Sequence, residues 1–377
     1  MRVLLFSVTA GEGHNVTAKA IAHALEQTGA GTKIVDAYRT SGRFMYLLVA
    51  KGYALASSSL KYGYGIAYRL VEKRRGNSYK HSLIRLSGRT LAKKFKRVID
   101  EYDPDVIVAT HPFAARILDI TKERHGFRAK TLAIVTDFTM HPYWEEALRL
   151  DRLIIPCEGI APLAYDKGFT DAQIRPLGIP INAKFSATVE KQEARRILGL
   201  APDTATLLLM GGAIGYGHME RALRRLDRLD PPFQIIVACG KNTRLYNRIS
   251  SRAWQKSVLA LGFTDNVPLL MDAADLIVSK PGGLTTSEAL TRRLPLVIVE
   301  PIPGQEKHNA EFLTEIGCAV AVTKKYPLQT AVRDLLLDDC RRLAMRACAD
   351  RICKPESTED LVREICSLCA STPDVSE

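Results

Sequence analysis

His14 closes a glycine-bearing turn, Ala10-Gly11-Glu12-Gly13, between an apolar run and a helical pattern. Glycines let the backbone approach a ligand closely, and a helix N-terminus offers unpaired amides with a partial positive charge. An imidazole placed there is favoured in its neutral form, which can accept a proton. The plainer reading is a histidine that only caps the helix. The turn is not G-x-G-x-x-G and carries no P-loop Lys-Ser/Thr, which weighs against dinucleotide and ATP binding. Thr136-Asp137-Phe138 places a carboxylate after another apolar run. Asp137 either orients His14, accepts the proton itself, or caps the next helix, and the local sequence does not choose. His111-Pro112 ends a further run and either lines an acceptor site or serves the structure.

The second half carries a different set of groups. Met210-Gly211-Gly212 ends an apolar run with two glycines, a backbone cradle suited to phosphate oxygens. The run Leu276–Ser279 leads into Lys280-Pro281-Gly282-Gly283-Leu284 and a helix whose first turn holds Thr285, Thr286 and Glu288. A diphosphate fits such a helix N-terminus, and Glu288 is placed to accept from two vicinal ribose hydroxyls. Thr285-x-x-Glu288 is equally a capping box, and on local grounds the two readings are level. Pro303-Gly304-Gln305-Glu306-Lys307-His308-Asn309 puts polar side chains at a helix start, where Gln305, Glu306 and Asn309 suit sugar hydroxyls. Glu306 and Asn309 also read as ordinary helix-start residues.

These residues need a scaffold, and the pattern supplies one. Near-continuous apolar runs at Arg2–Thr9, Val106–Ala109, Thr131–Val135 and Arg152–Ile155 alternate with helical spacing such as Val16, Ala20, Ile21, Ala24 and Leu25. The rhythm restarts after Leu200 with Ala205–Met210, Gln234–Ala238, Ser257–Leu261, Leu276–Ser279 and Leu296–Val299. Such alternation predicts an α/β protein with two doubly wound parallel sheets. The seam falls at Leu177–Lys184, giving an N-terminal domain over 1–177, a C-terminal domain over 185–340, and helices over 341–377 that pack back on the first domain. In open α/β sheets ligands sit beyond the carboxyl ends of strands, where every residue named above lies, so they are expected to line one cleft.

Charge is distributed unevenly. The chain has 377 residues and a formal net charge of +12. Between Tyr38 and Arg97 fifteen Lys/Arg face one acidic residue, Glu72, so the remainder is slightly acidic. Tyr53, Tyr62, Tyr64 and Tyr68 are laid among the cations, and a basic stretch interleaved with aromatics suits a polyanion, either nucleic acid or an anionic membrane face. The plainer reading is a solvated helix face. No leader of the signal-peptide kind is expected, and no apolar run approaches the ~18 residues of a membrane span. The eight cysteines, Cys366-x-x-Cys369 among them, lack the second pair a zinc site needs and read as reduced thiols of a cytoplasmic enzyme.

Taken together, the turn ending in His14, Val135-Thr136-Asp137-Phe138, Gly178-Ile179-Pro180-Ile181, Cys239-Gly240-Lys241-Asn242, Lys280-Pro281-Gly282-Gly283 and Pro303-Gly304-Gln305-Glu306-Lys307 resemble family 28 glycosyltransferases of the two-domain GT-B kind. Within that family the chain is most similar to monogalactosyldiacylglycerol synthases and processive diacylglycerol glucosyltransferases. The resemblance implies inverting transfer of a hexose, glucose or galactose, from a UDP-sugar to diacylglycerol, with no metal and no cofactor. It implies His14 as general base, Glu288 on the ribose, Phe263 and Thr264 near the uracil, Gly282 and Gly283 near the diphosphate, and Gln305 and Glu306 on the sugar. Tyr62, Tyr64, Arg69, Lys73, Arg74 and Arg75 would then meet acceptor and anionic lipids at the inner face of the cell membrane, without nucleic acid. Two departures stand out. Glu12 occupies a turn that is typically richer in glycine, and Asn182 stands where the family often has arginine, leaving Lys184 or Arg175 to substitute. Rival readings are a UDP-N-acetylglucosamine-dependent transferase with a polyprenyl-linked acceptor, a UDP-sugar epimerase, and a nucleic-acid-binding protein.

Overall fold

The computed structural model describes residues 1–9, 13–42, 83–212 and 218–370, with the backbone alone at 83–87 and 89. Tyr62, Tyr64, Arg69, Lys73, Arg74 and Arg75 lie outside the described residues, as does Glu12. The chain forms two compact units: Met1–Ala183 with Pro303–Gln305 and Glu356–Glu377, and Lys184–Ile302 with Glu306–Pro355.

The first unit is a six-stranded parallel sheet in the order β2-β1-β3-β4-β5-β6. Its strands are β1 Arg2–Ser7, β2 Gly31–Asp36, β3 Val106–Ala109, β4 Lys130–Ile134, β5 Arg152–Ile154 and β6 Ile174–Arg175. Val3 to Phe6 are wholly inaccessible because both sheet faces are covered. On one face the helix Gly13–Gln27 contributes Ala18, Ile21, Ala22 and Leu25 to a core that also contains Leu361, Ile365 and Leu368 of the C-terminal helix Ser357–Ala370. Ser357 and Thr358 tie that helix down by donating to the carbonyls of Ile179 (3.0 Å) and Ile181 (2.7 Å). The terminal helices therefore divide: Ser357–Ala370 belongs to the first unit, whereas Asp339–Ile352 stays with the second.

The basic stretch is corrected at both of its ends. Tyr38 is buried in the short helix Ala37–Ser41. The helix Leu83–Tyr102 turns Leu91, Ala92, Phe95 and Ile99 inward, and Phe95 stacks on Phe6 with centroids 4.3 Å apart. These four side chains thus serve the protein's own core. Lys94 is also committed, donating to the Ser41 carbonyl at 2.8 Å.

The second unit is a six-stranded parallel sheet in the order β12-β11-β10-β7-β8-β9. Its strands are β7 Thr206–Met210, β8 Gln234–Ala238, β9 Val258–Leu261, β10 Leu276–Ser279, β11 Leu296–Ile298 and β12 Ala319–Ala321. Leu207, Leu209, Ile235 and Val237 pack with Leu223, Leu226, Leu328, Val332 and Leu335 from its helices. Arg292 and Asp272 form a buried pair at 2.9 Å, and Arg292 also donates to the Phe185 and Ala187 carbonyls, fastening the start of this unit.

Strands β2, β6 and β12 were not expected. β2 is an edge strand with three of its six residues exposed and the other three partly so, and it lacks the fully apolar run that marks a central strand. β6 has only two residues, too few for periodicity to register, and β12 is a three-residue edge strand.

Candidate active site

Each sheet reverses its strand order once. In the first unit the chain runs from β1 to β2 on one side and then crosses to β3 on the other, so the switch point lies between β1 and β3. In the second unit it lies between β7 and β10. At such points the following helices diverge and leave room for a ligand.

His14 stands in the first turn after β1, at the first switch point. Its Nδ1 lies 2.7 Å from the Thr110 carbonyl beyond β3 and 3.2 Å from Thr136 Oγ1 beyond β4. A carbonyl oxygen only accepts, so Nδ1 carries the proton and Nε2 keeps its lone pair. Burial lowers the His14 pKa to about 4, against the opposing pull of the Thr110 hydrogen bond. The imidazole is therefore neutral at ordinary pH. The group that orients it is the Thr110 carbonyl with Thr136, and not Asp137, which accepts instead from Gln305 Nε2 at 2.9 Å. Nor does Asp137 cap the next helix, because His141 caps Pro142–Glu146.

His111 proves to be a helix cap. Its Nδ1 accepts from the Phe113 amide at 3.0 Å, so its proton sits on Nε2. The ring meets His14 edge-on with centroids 4.7 Å apart. Burial holds its pKa well below the usual value, and His14 and His141 push in the same direction. His141 is itself lowered to about 4 by burial and then by Lys167. The sign of the linkage follows. His14 and His141 stay neutral when folded but are protonated in the unfolded chain below about 6.5, so their contribution to stability is full above that pH and is lost as pH falls towards 4. In NMR titrations the Cε1–H resonances of His14 and His141 are expected to stay constant from pH 8 to 5.5; a midpoint near 6.5 would refute the burial account.

One residue went unnoticed in the sequence. Asp36, ending β2, accepts from the Thr9 amide at 3.0 Å and from the Thr9 hydroxyl. Its other oxygen accepts from the amides of Tyr38 (2.8 Å) and Arg39 (2.9 Å). A single carboxylate thus fixes the chain entering the His14 turn and the first turn of the basic stretch. Recognising β2 would have exposed this aspartate as a strand-end residue.

In the second unit, Gly211 and Gly212 follow β7, and Gly212 has φ of +71°, a left-handed conformation that favours glycine. Beside them β10 leads through Lys280-Pro281-Gly282 into the helix Gly283–Thr291. The N-cap is Gly282 with no side-chain capping bond, so the Thr285-x-x-Glu288 capping box is not formed. A Cβ at Gly282 would meet nothing within 4 Å among the described residues, so there is room beside the N-cap of this helix. Glu288 lies one turn in, 8% exposed, and burial raises its pKa to about 8. A buried carboxyl so penalised is the kind of group a polar ligand relieves.

Other expected contacts are placed differently. Asn309 is wholly buried and donates to the Pro281 carbonyl at 2.9 Å, bracing the Pro-Gly-Gly turn from behind instead of facing a sugar. Glu306 accepts from the Ile302 amide at 2.7 Å, the helix-start role. Phe263 follows β9 and is 58% exposed, with Lys241 Nζ 5.5 Å from its ring centre, while Thr264 accepts from the Asn266 amide. Arg175 cannot stand in for the arginine absent at Asn182. It pairs with Glu364 at 3.4 Å and donates to the carbonyls of Ile174 and Asp171.

This arrangement can be set beside known proteins. Residues 14–181 match the family described as monogalactosyldiacylglycerol (MGDG) synthase, and residues 206–364 match the glycosyltransferase family 28 C-terminal domain. The chain belongs to glycosyltransferase family 28. A processive diacylglycerol beta-glucosyltransferase of Bacillus pumilus is 26% identical over 374 residues, covering 97% of this chain and 94% of the relative. The Glycine max protein named "Probable monogalactosyldiacylglycerol synthase, chloroplastic" is 31% identical over 339 residues, 84% of this chain and 62% of the relative. Among solved structures, MurG of Acinetobacter baumannii covers 97% of this chain and 99% of its own at a TM-score of 0.65 and 16% identity. Anabaena Alr3699/HepE in complex with UDP and glucose covers 97% of this chain and all of its own at 0.55 and 16%. At these identities the structural likeness speaks for the GT-B fold. The neutral His14 and the Gly283 helix, which has no side-chain cap, lie at the switch points of their respective sheets.

Proposed function

We propose that this chain is an inverting UDP-hexose:diacylglycerol glycosyltransferase. The observation that carries the reading is His14, whose Nδ1 proton is given to the Thr110 carbonyl so that Nε2 is left to take a proton. A primary alcohol is a poor nucleophile, and a positioned base that removes its proton as the C1–O bond forms contributes about 10²–10⁴-fold. The reading has the alcohol attack C1 from the side opposite the diphosphate, inverting that centre, with its proton passing to His14 Nε2. The departing UDP is held by the first-turn amides of the helix Gly283–Thr291, which supply electrostatic stabilisation without a resident metal. Glu288 accepts from the ribose hydroxyls, and Phe263 with Lys241 flanks the uracil.

Glucose is favoured over galactose by the relatives named as glucosyltransferases, the B. pumilus protein among them. Support for diacylglycerol comes from the names of the relatives and from the basic stretch, since Lys/Arg near an anionic surface contributes roughly 1 kcal/mol each. No helix among the described residues is long and apolar enough to cross a membrane, and the reading is peripheral association with the inner face of the cell membrane. Incubation with diacylglycerol-containing liposomes and a panel of UDP-sugars is expected to yield hexosyl-diacylglycerol by mass spectrometry. Conversion of a UDP-sugar without any acceptor would favour an epimerase. Transfer only to polyprenyl-linked acceptors would favour the N-acetylglucosaminyl reading. Reversing the charges of Lys73, Arg74, Arg75 and Lys93 together is expected to abolish sedimentation with anionic liposomes, and unaltered sedimentation would sink the docking role. Lys94 is left out of this set because its ammonium is already used within the fold.

A further inference from the structure

His14 and His111 each bring one ring nitrogen to the same place, and the two nitrogens are chemically opposite. His14 Nδ1 gives its proton to the Thr110 carbonyl at 2.7 Å, so its Nε2 carries a lone pair. His111 Nδ1 accepts from the Phe113 amide at 3.0 Å, so its Nε2 carries the hydrogen. The two nitrogens of an imidazole face apart, so that N–H points away from the amide the ring caps. The ring centroids lie 4.7 Å apart with the planes at 82°. Both residues are partly exposed, and among the described residues neither Nε2 has a hydrogen-bond partner or is sealed from solvent. The buried Tyr38 lies 6.0 Å from the His111 ring and 4.8 Å from Phe113, which helps hold the ring in place. Ser, Thr, Asp or Asn would cap the helix Pro112–His125 as well. What histidine adds there is a second ring nitrogen bearing a hydrogen.

A hydroxyl is the group that matches this pair, since it gives one hydrogen and accepts another. One oxygen at ordinary hydrogen-bond length, about 2.7–3.2 Å from each nitrogen, spans two rings set this closely. We propose that the reacting hydroxyl of the acceptor is held between the two rings, donating to His14 Nε2 and accepting from His111 Nε2–H. This role rests on the transfer reading above and makes His111 a catalytic residue that touches the nucleophile. As the hydroxyl proton passes to His14 Nε2, one oxygen lone pair forms the bond to C1 and the bond from C1 to the diphosphate oxygen breaks. The other lone pair keeps its hydrogen bond from His111, which stabilises the oxygen as it gains negative charge. That support matters because His14, with a pKa of about 4, is a weak base for an alcohol. A cationic donor would repel the imidazolium that His14 becomes. His111 does not, because burial, and then His14 and His141, hold its pKa well below the usual value and keep it neutral.

The test uses the full chain, with its melting temperature as the folding control. In a proton–nitrogen correlation spectrum of the histidine side chains, His14 is expected as the Nδ1–H tautomer and His111 as the Nε2–H tautomer. Dioctanoylglycerol is expected to shift the Nε2 resonances of both. A shift at His14 alone, or a His111 whose Nε2 is bare, overturns the role, and neither result depends on turnover. His111→Asn keeps a side-chain acceptor for the Phe113 amide, and so the cap, but loses the Nε2 hydrogen. With dioctanoylglycerol as acceptor this variant is expected to lose about tenfold to a hundredfold in kcat, with KM for the UDP-sugar within twofold and an unchanged melting temperature. Unchanged kcat overturns the role. So does a loss that comes with an equal rise in KM for the UDP-sugar or with a lower melting temperature, since either marks a structural part only. If the native chain moves no hexose to dioctanoylglycerol, the transferase reading falls instead, and the spectra still decide whether the two rings take a hydroxyl.

Discussion

His14→Ala is expected to lower turnover by about 10²–10⁴-fold while UDP affinity stays within twofold of the native value. The magnitude is that of a positioned general base. The specificity follows from the fold, because His14 belongs to the first unit and Glu288 with the Gly283 helix belongs to the second. Its replacement therefore leaves the donor contacts intact. His14→Gln is the informative companion: the amide keeps a donor for the Thr110 carbonyl but cannot take up a proton. If Gln restores turnover, the histidine positions and does not act as base. Unchanged turnover in the alanine variant removes His14 from the chemistry altogether. A base whose pKa is about 4 holds a proton weakly. It acts here only as the new bond to C1 makes the alcohol acidic, and the activity should persist well below pH 6.

The second large effect concerns Glu288→Gln, which should act in opposite directions on donor binding and on stability. Hydrogen bonds to a charged acceptor contribute about 1.5–3 kcal/mol each, so at pH 9, where the carboxyl is ionised, its loss is expected to weaken UDP binding on the order of tenfold to a hundredfold. Stability moves the other way. The Glu288 pKa rises from the ordinary 4.5 to about 8 on folding because the carboxyl is buried. Its favourable neutral state is fully present below about 4.5 and is lost as pH rises through 8, at about 1.4 kcal/mol per pH unit. Glutamine has no such slope. The gap in denaturant midpoint between Glu288→Gln and the native chain should therefore widen in favour of the variant from pH 5 to pH 9. A constant gap would mean that the carboxyl is not desolvated as described, and unchanged UDP affinity would remove it from the ribose.

The two sheets were legible because their strands are buried on both faces, and such strands read as unbroken apolar runs such as LLLM and IIVA. The strands that escaped, β2, β6 and β12, are exposed or very short, so burial left no such mark on them. Residues at strand ends were legible for the same reason, since each run ends in a recognisable turn. Partnership between them was not. Nothing near Asp137 in the chain says that it meets Gln305, 168 positions away. Nothing near Asn309 says that it faces inward to Pro281. The helix Leu83–Tyr102 shows the converse difficulty: an amphipathic pattern reports one apolar side but not whether a core or a lipid covers it.

By itself, the order of residues determined the fold class, the family and the chemical types waiting at the strand ends, because hydrophobic periodicity and glycine placement are local properties of a chain. Tertiary structure alone decided which strand neighbours which, and so where each sheet reverses. That reversal brings the Thr110 carbonyl to His14, fixing its proton on Nδ1. The outcome rests on a hydrogen bond and burial between residues far apart in sequence, which no local pattern encodes.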